Sequence, residues 1–201
     1  MSENTAPEPE LTEAEVSEQK AVRLAKRDRL NELGLEAYPV ALPITDTIPA
    51  VRARFGDLEA DATTGVTVGL AGRIVHLRNT GKLCFASLQS GDGSRIQAMV
   101  SLAEVGEENL ELWKDLVDLG DHLYVSGEVI SSRRGELSVM VKEWKMAAKA
   151  VLPLPNMHNE LNEETRVRSR YLDLIVREQA RKNVFARAKT MASLRLSLIH
   201  I

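Results

Sequence analysis

The chain has 201 residues, of which 44% are hydrophobic, enough for one packed domain with appended segments. A single cysteine, Cys84, excludes a disulfide framework and a cysteine-rich zinc site, and four scattered histidines do not suggest a metal site either. The formal net charge is −3, but six of the 29 acids lie in residues 1–18, so 23 acids face 26 bases in the remainder. The folded part is therefore expected to be mildly basic.

Residues 1–17 form an acidic tail, with Pro7 and Pro9 and few bulky apolar side chains. This composition predicts a segment that is disordered or only transiently helical. It is also the opposite of a secretory or organellar targeting segment, and no apolar run in the chain reaches membrane-spanning length. We therefore expect a cytoplasmic protein with no membrane partner.

Residues 18–65 are predicted to hold an N-terminal helix and a connector. The pattern from Glu18 to Leu33 is helical, Gly34 is a suitable stop, and a short helix is expected near 50–58. Four basic side chains of the first helix are candidate contacts for a phosphate backbone: Lys20, Arg23, Lys26 and Arg27. On composition alone, an ordinary solvated helix face explains them equally well.

Residues 66–150 change to the period of β-strands. Strands are predicted at 67–78, 82–90, 94–101, 122–132 and 137–145, with a helix at about 104–117. Five strands with a helix between the third and fourth is the order of an OB-fold barrel. The predicted fold class is thus mainly β with helices: a five-stranded OB-fold barrel preceded by an N-terminal helix.

The two central strands indicate which face of the barrel is available to a ligand. Small apolar residues alternate along both strands and predict the core face: Cys84, Ala86, Leu88, Ile96, Ala98 and Val100. Phe85, Arg95 and Gln97 then fall on the outer face. Because OB-folds bind oligonucleotides on this face, Phe85 is a candidate for stacking on a base, and the alternative is a half-buried aromatic under a loop.

The segment after the barrel is predicted to contain a hinge at 151–162 and helices at 163–195. Asn162 is a good N-cap, and Glu163 and Glu164 place negative charge at the positive end of a helix. A second helix begins near Glu178, and its apolar face needs a partner that the chain does not supply. Pattern alone would also fit a simple two-helix tail.

Three segments resemble bacterial lysyl-tRNA synthetases of class II, especially those of actinobacterial type. The segment HNELNEETRVRSRYLDLIV, residues 158–176, resembles their hinge and the entrance to their catalytic domain, and the helix after it resembles the start of motif 1. Aspartyl-tRNA synthetases usually read RYLDLR here, so Ile175 favours the lysyl family. The segments LAKRDRLNELGLEAYPV and AGRIVHLRNTGKLCFASLQSGDGSRIQAMVS extend the resemblance over about residues 18–195.

The resemblance implies an anticodon-binding OB-fold whose partner is the anticodon stem-loop of tRNA(Lys). By its position in the motif, Phe85 would stack on the central uracil, Arg78 and Gln97 would hydrogen-bond to that base, and Glu136 would help to read the anticodon. The N-terminal helix would lie beside this domain, which adds weight to its basic side chains as tRNA contacts. A stand-alone OB-fold that binds single strands without sequence preference, and the same region of an aspartyl enzyme, stay open as alternatives.

The resemblance also implies what this chain lacks. The full-length enzyme would use ATP and Mg²⁺ to attach lysine to tRNA(Lys) through lysyl-adenylate, and would be a homodimer. Its motifs 2 and 3 are absent here, and residues 163–195 match only the incomplete first motif. We therefore expect no catalytic residue, no cofactor and no metal in this chain, and no aminoacylation by it alone.

The last six residues, LSLIHI at 196–201, break the amphipathic pattern. The DNA string CTG TCT CTT ATA CAC ATC, a transposase end sequence used in preparing sequencing libraries, encodes these same residues. Our hypothesis is that this end is not native and that the open reading frame is artificially truncated. Sequencing of the source locus beyond the codon for Arg195 tests this hypothesis.

Overall fold

The computed structural model describes residues 13–155 and 161–199. It divides into two compact units, one formed by Glu13–Pro153 and the other including Leu154–Ile201. Among the described residues, no helix combines the length and the apolar composition needed to cross a membrane. The predicted tail lies largely outside the described residues.

The first unit begins with helix α1, Glu13–Glu32. The helix begins five residues before the predicted Glu18, and acidic side chains suit the positive end of a helix. The predicted stop is correct. Gly34 has φ +73, and the Leu35 amide donates to the Leu30 carbonyl at 2.9 Å, which closes the last turn.

A connector with one short helix, α2 (Ile48–Phe55), leads to the barrel. The helix begins earlier than the predicted residue 50 because Thr47 caps it: the Ala50 amide donates to Thr47 Oγ1 at 3.3 Å. Pro49 occupies the first turn, where its missing N–H is no loss. Ile48 and Val51 are buried and join the barrel core.

The five predicted strands form a closed barrel in the order β1-β2-β3-β5-β4, so the predicted OB-fold is confirmed. All neighbours are antiparallel except β3 and β5, which run parallel. The strands are β1 Thr63–Thr80, β2 Leu83–Gln89, β3 Arg95–Ser101, β4 His122–Ser131 and β5 Leu137–Ala148. β1 is longer than predicted because it pairs with β4 over its first half and with β2 over its second, across an irregularity between Ile74 and His76.

The core lies inside the barrel, and the predicted inward residues of the central strands are all buried: Cys84, Ala86, Leu88, Ile96, Ala98 and Val100. Burial of the Cys84 thiol raises its pKa, so the thiol is not activated as a nucleophile. Alternation along β3, and along β2 as far as Leu88, leaves the intervening side chains on the outside. The face predicted to carry Phe85 is thus the outer face of the sheet.

The helix predicted at 104–117 is two helices, α3 (Leu102–Val105) and α4 (Glu107–Leu116). The break falls at Gly106, whose φ of +81 lies in the left-handed region that interrupts a helix. Ser101 caps α3 through its Oγ, which accepts from the Ala103 amide. Trp113 of α4 is fully buried and packs edge-on against Trp144, with ring centroids 5.5 Å apart.

A buried ion network joins the end of α4 to the chain as it leaves β5. The Lys149 ammonium is enclosed and donates to the Leu116 carbonyl at 2.7 Å, to Asp118 Oδ2 at 2.6 Å and to Asp121 Oδ2 at 2.8 Å. Lys26 of α1 donates to the other oxygen of Asp118 at 2.7 Å. The network therefore fastens α1 to the barrel.

The pKa values of the two aspartates in this network are shifted in opposite directions. Burial raises the pKa of Asp121, and the nearby Lys149 offsets this only in part. Burial also acts to raise the pKa of Asp118, but hydrogen bonds from Lys149 and Lys26 outweigh it and hold that pKa below its ordinary value. The carboxylate of Asp118 is therefore more firmly ionised than that of Asp121.

His122 at the start of β4 makes the stability of the barrel unit sensitive to acid. Burial, together with the positive charge of Arg73, lowers its pKa from 6.5 to about 4. The unfolded chain protonates His122 more readily than the folded chain does. The stability that the neutral His122 allows is therefore present above pH 6.5 and is lost as the pH falls towards 4. We expect His122→Gln to reduce the fall in melting temperature between pH 6.5 and about pH 4, as measured by circular dichroism. An exposed control, His76→Gln, should keep the wild-type slope, and an equal slope in both variants would contradict the assignment.

The second unit contains three helices: α5 (Glu163–Arg168), α6 (Arg170–Val176) and α7 (Glu178–Ile199). The predicted cap is confirmed, because the Thr165 amide donates to Asn162 Oδ1 at 2.7 Å. The helix start near Glu178 is also confirmed. The first of the helices predicted in 163–195 is divided by a break at Ser169, and α7 continues through Leu196 as far as Ile199.

Asp173 is the electrostatic centre of this unit. Its buried carboxylate pairs with Arg170, and its Oδ1 lies 2.6 Å from Arg177 Nε and 3.9 Å from Arg166 Nε. A buried carboxylate needs such partners, because taking an unpaired charge out of water is expensive. The aspartate of the RYLDLI motif is therefore explained by local architecture, which joins α5, α6 and the start of α7.

Candidate nucleic-acid interface

A row of four side chains crosses the outer face of the barrel. Arg78 of β1 is opposite Phe85 of β2, Phe85 is opposite Met99 of β3, and Met99 is opposite Met140 of β5. Phe85, Met99 and Met140 are half-buried, and Arg78 is exposed. The row thus presents an aromatic ring between a cation and two flexible thioether side chains, a surface on which a flat base can lie.

The Phe85 ring is available for stacking. Its neighbours along β2, Cys84 and Ala86, are buried, so the pleat directs Phe85 outwards. Within the part of the chain that the structure describes, its ring makes no stacking contact with another aromatic ring or with a cation. The half-buried ring is therefore not already engaged by another aromatic ring or by a cation.

Arg78 stands at the edge of this row, near the end of β1. It is exposed, and among the described residues no ion-pair partner occurs for its guanidinium. Its five donors are thus accessible to a carbonyl or phosphate oxygen beside the Phe85 ring. The barrel brings together Arg78 and Phe85 as expected from the sequence.

A second row lies beside the first and contains Gln97. Ser87 of β2 is opposite Gln97 of β3, and Gln97 is opposite Ser138 of β5. The Gln97 amide is held on both sides: its Nε2 donates to Glu136 Oε2 at 3.3 Å, and its Oε1 accepts from Ser138 Oγ at 3.0 Å. Gln97 and Glu136, predicted separately from the sequence, therefore form one hydrogen-bonded unit.

The turn between β4 and β5 positions Glu136. The Glu136 amide donates to Ser132 Oγ at 3.0 Å, and the Ser132 amide donates to the Glu136 carbonyl at 2.8 Å. Gly135, with φ +79, allows the reversal of the chain. The same turn carries Arg133 and Arg134, both exposed, which were not anticipated as part of this surface.

The four basic residues of α1 that are candidate phosphate contacts differ in accessibility. Arg23 is buried and donates from Nη1 to the Ala150 carbonyl at 3.1 Å, and Lys26 belongs to the buried network described above. For these two residues the expectation of a phosphate contact is corrected, because their charged groups serve internal contacts. Lys20 is exposed, and Arg27 makes only a solvent-facing pair with its neighbour Asp28.

Ser138 and the two methionines, Met99 and Met140, are further members of this surface that sequence reasoning missed. Their positions depend on the parallel pairing of β3 with β5, two strands that are 41 residues apart at Gln97 and Ser138. The alternation of apolar residues in 137–145 did indicate a strand, so the signal that was missing was its register against β3. The described residues contain no cluster of three or more side chains that could ligate a metal ion.

The barrel and its aromatic-bearing outer face define an OB-fold of the nucleic-acid-binding class. Residues 68–147 match the model of the tRNA anti-codon family, described as an OB-fold nucleic acid binding domain. This match covers the barrel from the first half of β1 to the end of β5.

Most of the chain is similar in sequence to the N-terminal part of lysine–tRNA ligases. It is 56% identical to the lysine–tRNA ligase of Kineococcus radiotolerans and 53% identical to that of Mycolicibacterium gilvum, in each case over 92% of this chain and 37% of the relative. It is also 38% identical to the lysylphosphatidylglycerol biosynthesis bifunctional protein LysX of Rhodococcus opacus, over 94% of this chain and 16% of that protein. The resemblance seen in the sequence motifs is thus confirmed, and the chain spans little more than a third of the length of these ligases.

Proposed function

We propose that this chain is the anticodon-binding part of a lysine–tRNA ligase. The observation that carries the proposal is the outer face of β1, β2 and β3, where Phe85 lies between Arg78 in its own row and Gln97 in the next. A stacking ring with an adjacent cation and an adjacent amide is the set of groups that an unstacked base of an RNA loop requires. The tRNA anticodon stem-loop is the proposed partner.

In this proposal each side chain has one task. Phe85 stacks on the central base, which for a lysine anticodon is uracil, and Arg78 donates to a carbonyl or phosphate oxygen beside it. Gln97 presents a donor and an acceptor together, which matches the O4 and N3–H of uracil. Glu136 acts through Gln97, because its carboxylate already accepts from the Gln97 amide.

The exposed basic side chains supply the part of binding that does not depend on sequence. Lys20 and Arg27 on α1 are proposed to contact the tRNA backbone, and the ion pair of Lys26 with Asp118 holds α1 against the barrel. Such contacts release counterions, so the affinity should fall as the salt concentration rises.

The activity of the whole protein is also proposed, from its relatives. The longer ligases would attach lysine to tRNA(Lys) with ATP and Mg²⁺, as cytoplasmic homodimers. The described residues offer no ligand cluster for a metal ion, so the proposal assigns ATP and Mg²⁺ to regions of the relatives that this chain does not span. No step proposed here involves them.

Binding to anticodon stem-loops tests the proposal. Fluorescence anisotropy of the full chain with loops carrying UUU, GUC or a scrambled sequence, at two salt concentrations, should show a preference for UUU. A preference for GUC would transfer the assignment to the aspartyl relative. Equal binding to all three would leave an OB-fold that binds single strands without sequence preference and would overturn the proposal.

Substitution of Phe85 by leucine should weaken UUU stem-loop binding. Stacking on one base contributes about 1 to 3 kcal/mol, which corresponds to a dissociation constant roughly 5- to 150-fold higher. Leucine keeps apolar bulk at this half-buried position, so the fold should be retained. The matched control is Phe185→Leu, an exposed phenylalanine on α7, which should bind like the wild type. An unchanged affinity for Phe85→Leu, with unchanged circular dichroism, would remove Phe85 from the site.

A further inference from the structure

Ser138 occupies an unusual position for a hydroxyl group on the outer face of a sheet. It is fully buried, and its Oγ lies 3.0 Å from Gln97 Oε1 and 2.9 Å from the Glu136 carbonyl oxygen. The Glu136 carbonyl already accepts from the Ser132 amide at 2.8 Å. The single hydroxyl proton of Ser138 is therefore free to serve Gln97 without leaving that carbonyl unsatisfied.

The two neighbours of the Gln97 amide impose one orientation on it. A carboxylate can only accept, so Glu136 requires the NH₂ group of Gln97 on its side. The carbonyl oxygen of the amide then faces Ser138, whose hydroxyl donates to it. Rotation of the amide by half a turn would place its oxygen against the Glu136 carboxylate, an arrangement with no proton between two acceptors.

A fixed amide can distinguish the two pyrimidines. Uracil presents an acceptor at O4 beside a donor at N3, whereas cytosine presents a donor at N4 beside an acceptor at N3. An amide that was free to rotate would pair with either base. An amide held in one orientation, next to a base whose position is set by stacking on Phe85, pairs with only one of them.

We infer that Ser138 is a positioning residue that, with Glu136, fixes the Gln97 amide in the orientation that selects uracil over cytosine at the central anticodon position. This inference rests on the proposed function, because it requires a base on the Phe85 face. It assigns Ser138 no direct contact with RNA, since its side chain is buried beneath Gln97.

The test compares stem-loops carrying UUU and UCU, bound to the full chain and followed by fluorescence anisotropy. In Ser138→Ala the preference for UUU over UCU should fall roughly fivefold, the usual worth of one hydrogen bond. The ratio should fall mainly because the affinity for UCU rises, whereas the affinity for UUU should change less. A merely structural role would weaken both complexes equally and leave their ratio unchanged.

Two further variants keep the test decisive. Glu136→Gln replaces an exposed acceptor with an amide that can donate or accept, so it should lower the same ratio without disturbing the core. Ser126→Ala, on β4 and outside both rows, is the matched control and should keep the wild-type ratio. Wild-type ratios in both Ser138→Ala and Glu136→Gln would overturn the inference while UUU binding itself persists. Loss of any UUU preference in the wild type would instead overturn the proposed function.

Discussion

Replacing Gly127 by alanine is expected to prevent normal closure of the barrel. A Cβ at this position would lie 1.9 Å from the Met140 carbonyl oxygen and 2.9 Å from the Val141 Cα, and both are backbone atoms that cannot rotate away. Gly127 is also where the pairing of β4 with β5 shifts register. We expect the free energy of unfolding to fall by at least ~3 kcal/mol, the upper end of the usual range for overpacked interiors.

Urea unfolding followed by tryptophan fluorescence measures this effect, because both tryptophans, Trp113 and Trp144, lie in the barrel unit. The control is Gly91→Ala in the turn between β2 and β3. No atom lies within 4 Å of a Cβ at Gly91, and its φ is outside the left-handed region, so its midpoint should hardly move. A Gly127→Ala protein with the wild-type midpoint would show that β5 can yield at this point.

Replacing Lys149 by methionine is expected to destabilise the barrel unit by about 3 to 5 kcal/mol, as for other buried ion pairs that lose one partner. Methionine preserves the apolar length of the side chain but removes all three donors of the ammonium. Asp121 is fully buried and would lose its cation. The deficit should be smaller at pH 5 than at pH 7, because a carboxyl with a raised pKa binds a proton more readily in the folded state.

Three companion variants separate the network from a general effect of substitution. Lys142→Met, an exposed lysine on β5, should leave the unfolding midpoint nearly unchanged. Lys26→Met should have a smaller effect than Lys149→Met, because its ion pair with Asp118 is partly solvent-exposed. The double variant Lys149→Met with Asp121→Asn should lose less than the sum of the single changes. Additive losses would mean that the two groups are energetically independent.

The same network connects stability with the proposed binding surface. Lys26 and Arg23 anchor α1 to Asp118 and to the Ala150 carbonyl, at the point where the chain leaves β5. The exposed Lys20 and the half-buried Arg27 belong to the same helix, so their position relative to the barrel depends on these anchors. A weakened network should therefore also reduce the salt-dependent part of RNA binding.

The central strands show how far sequence alone can reach. The residues of β2 and β3 alternate strictly between small apolar and larger or polar side chains, and a pleated strand sends alternate residues to opposite faces. Phe85 could therefore be placed outside and Cys84 inside before any partner strand was known. The lysyl-type motifs extend this reading to a homology that the comparisons confirm.

Helix boundaries followed the sequence less closely, because single residues with special backbone conformations decide them. Gly106 divides the helix predicted at 104–117, and Ser169 divides the arginine-rich helix of the second unit. A glycine inside a helical pattern is often tolerated, so its presence did not predict the break.

The basic residues of α1 show most clearly what the sequence alone could not predict. Lys20, Arg23, Lys26 and Arg27 look equivalent in the sequence, but two of them are engaged in internal contacts and two face solvent. Their separation depends on which side of α1 packs against α4, a choice that the weak apolar face of the helix does not specify.

Local alternation, capping residues and motifs were thus sufficient for the strands, the OB-fold, the outward position of Phe85 and the resemblance to lysine–tRNA ligases. The partners of Gln97 and Lys149 were not predictable in this way. Ser138 reaches Gln97 only because β3 and β5 pair in parallel when the barrel closes, and Lys149 meets Asp118 and Asp121 only because the end of β5 lies beside the end of α4. The face on which a side chain lies follows from its own strand, whereas its neighbour across the sheet follows from the register of strands that are distant in the chain.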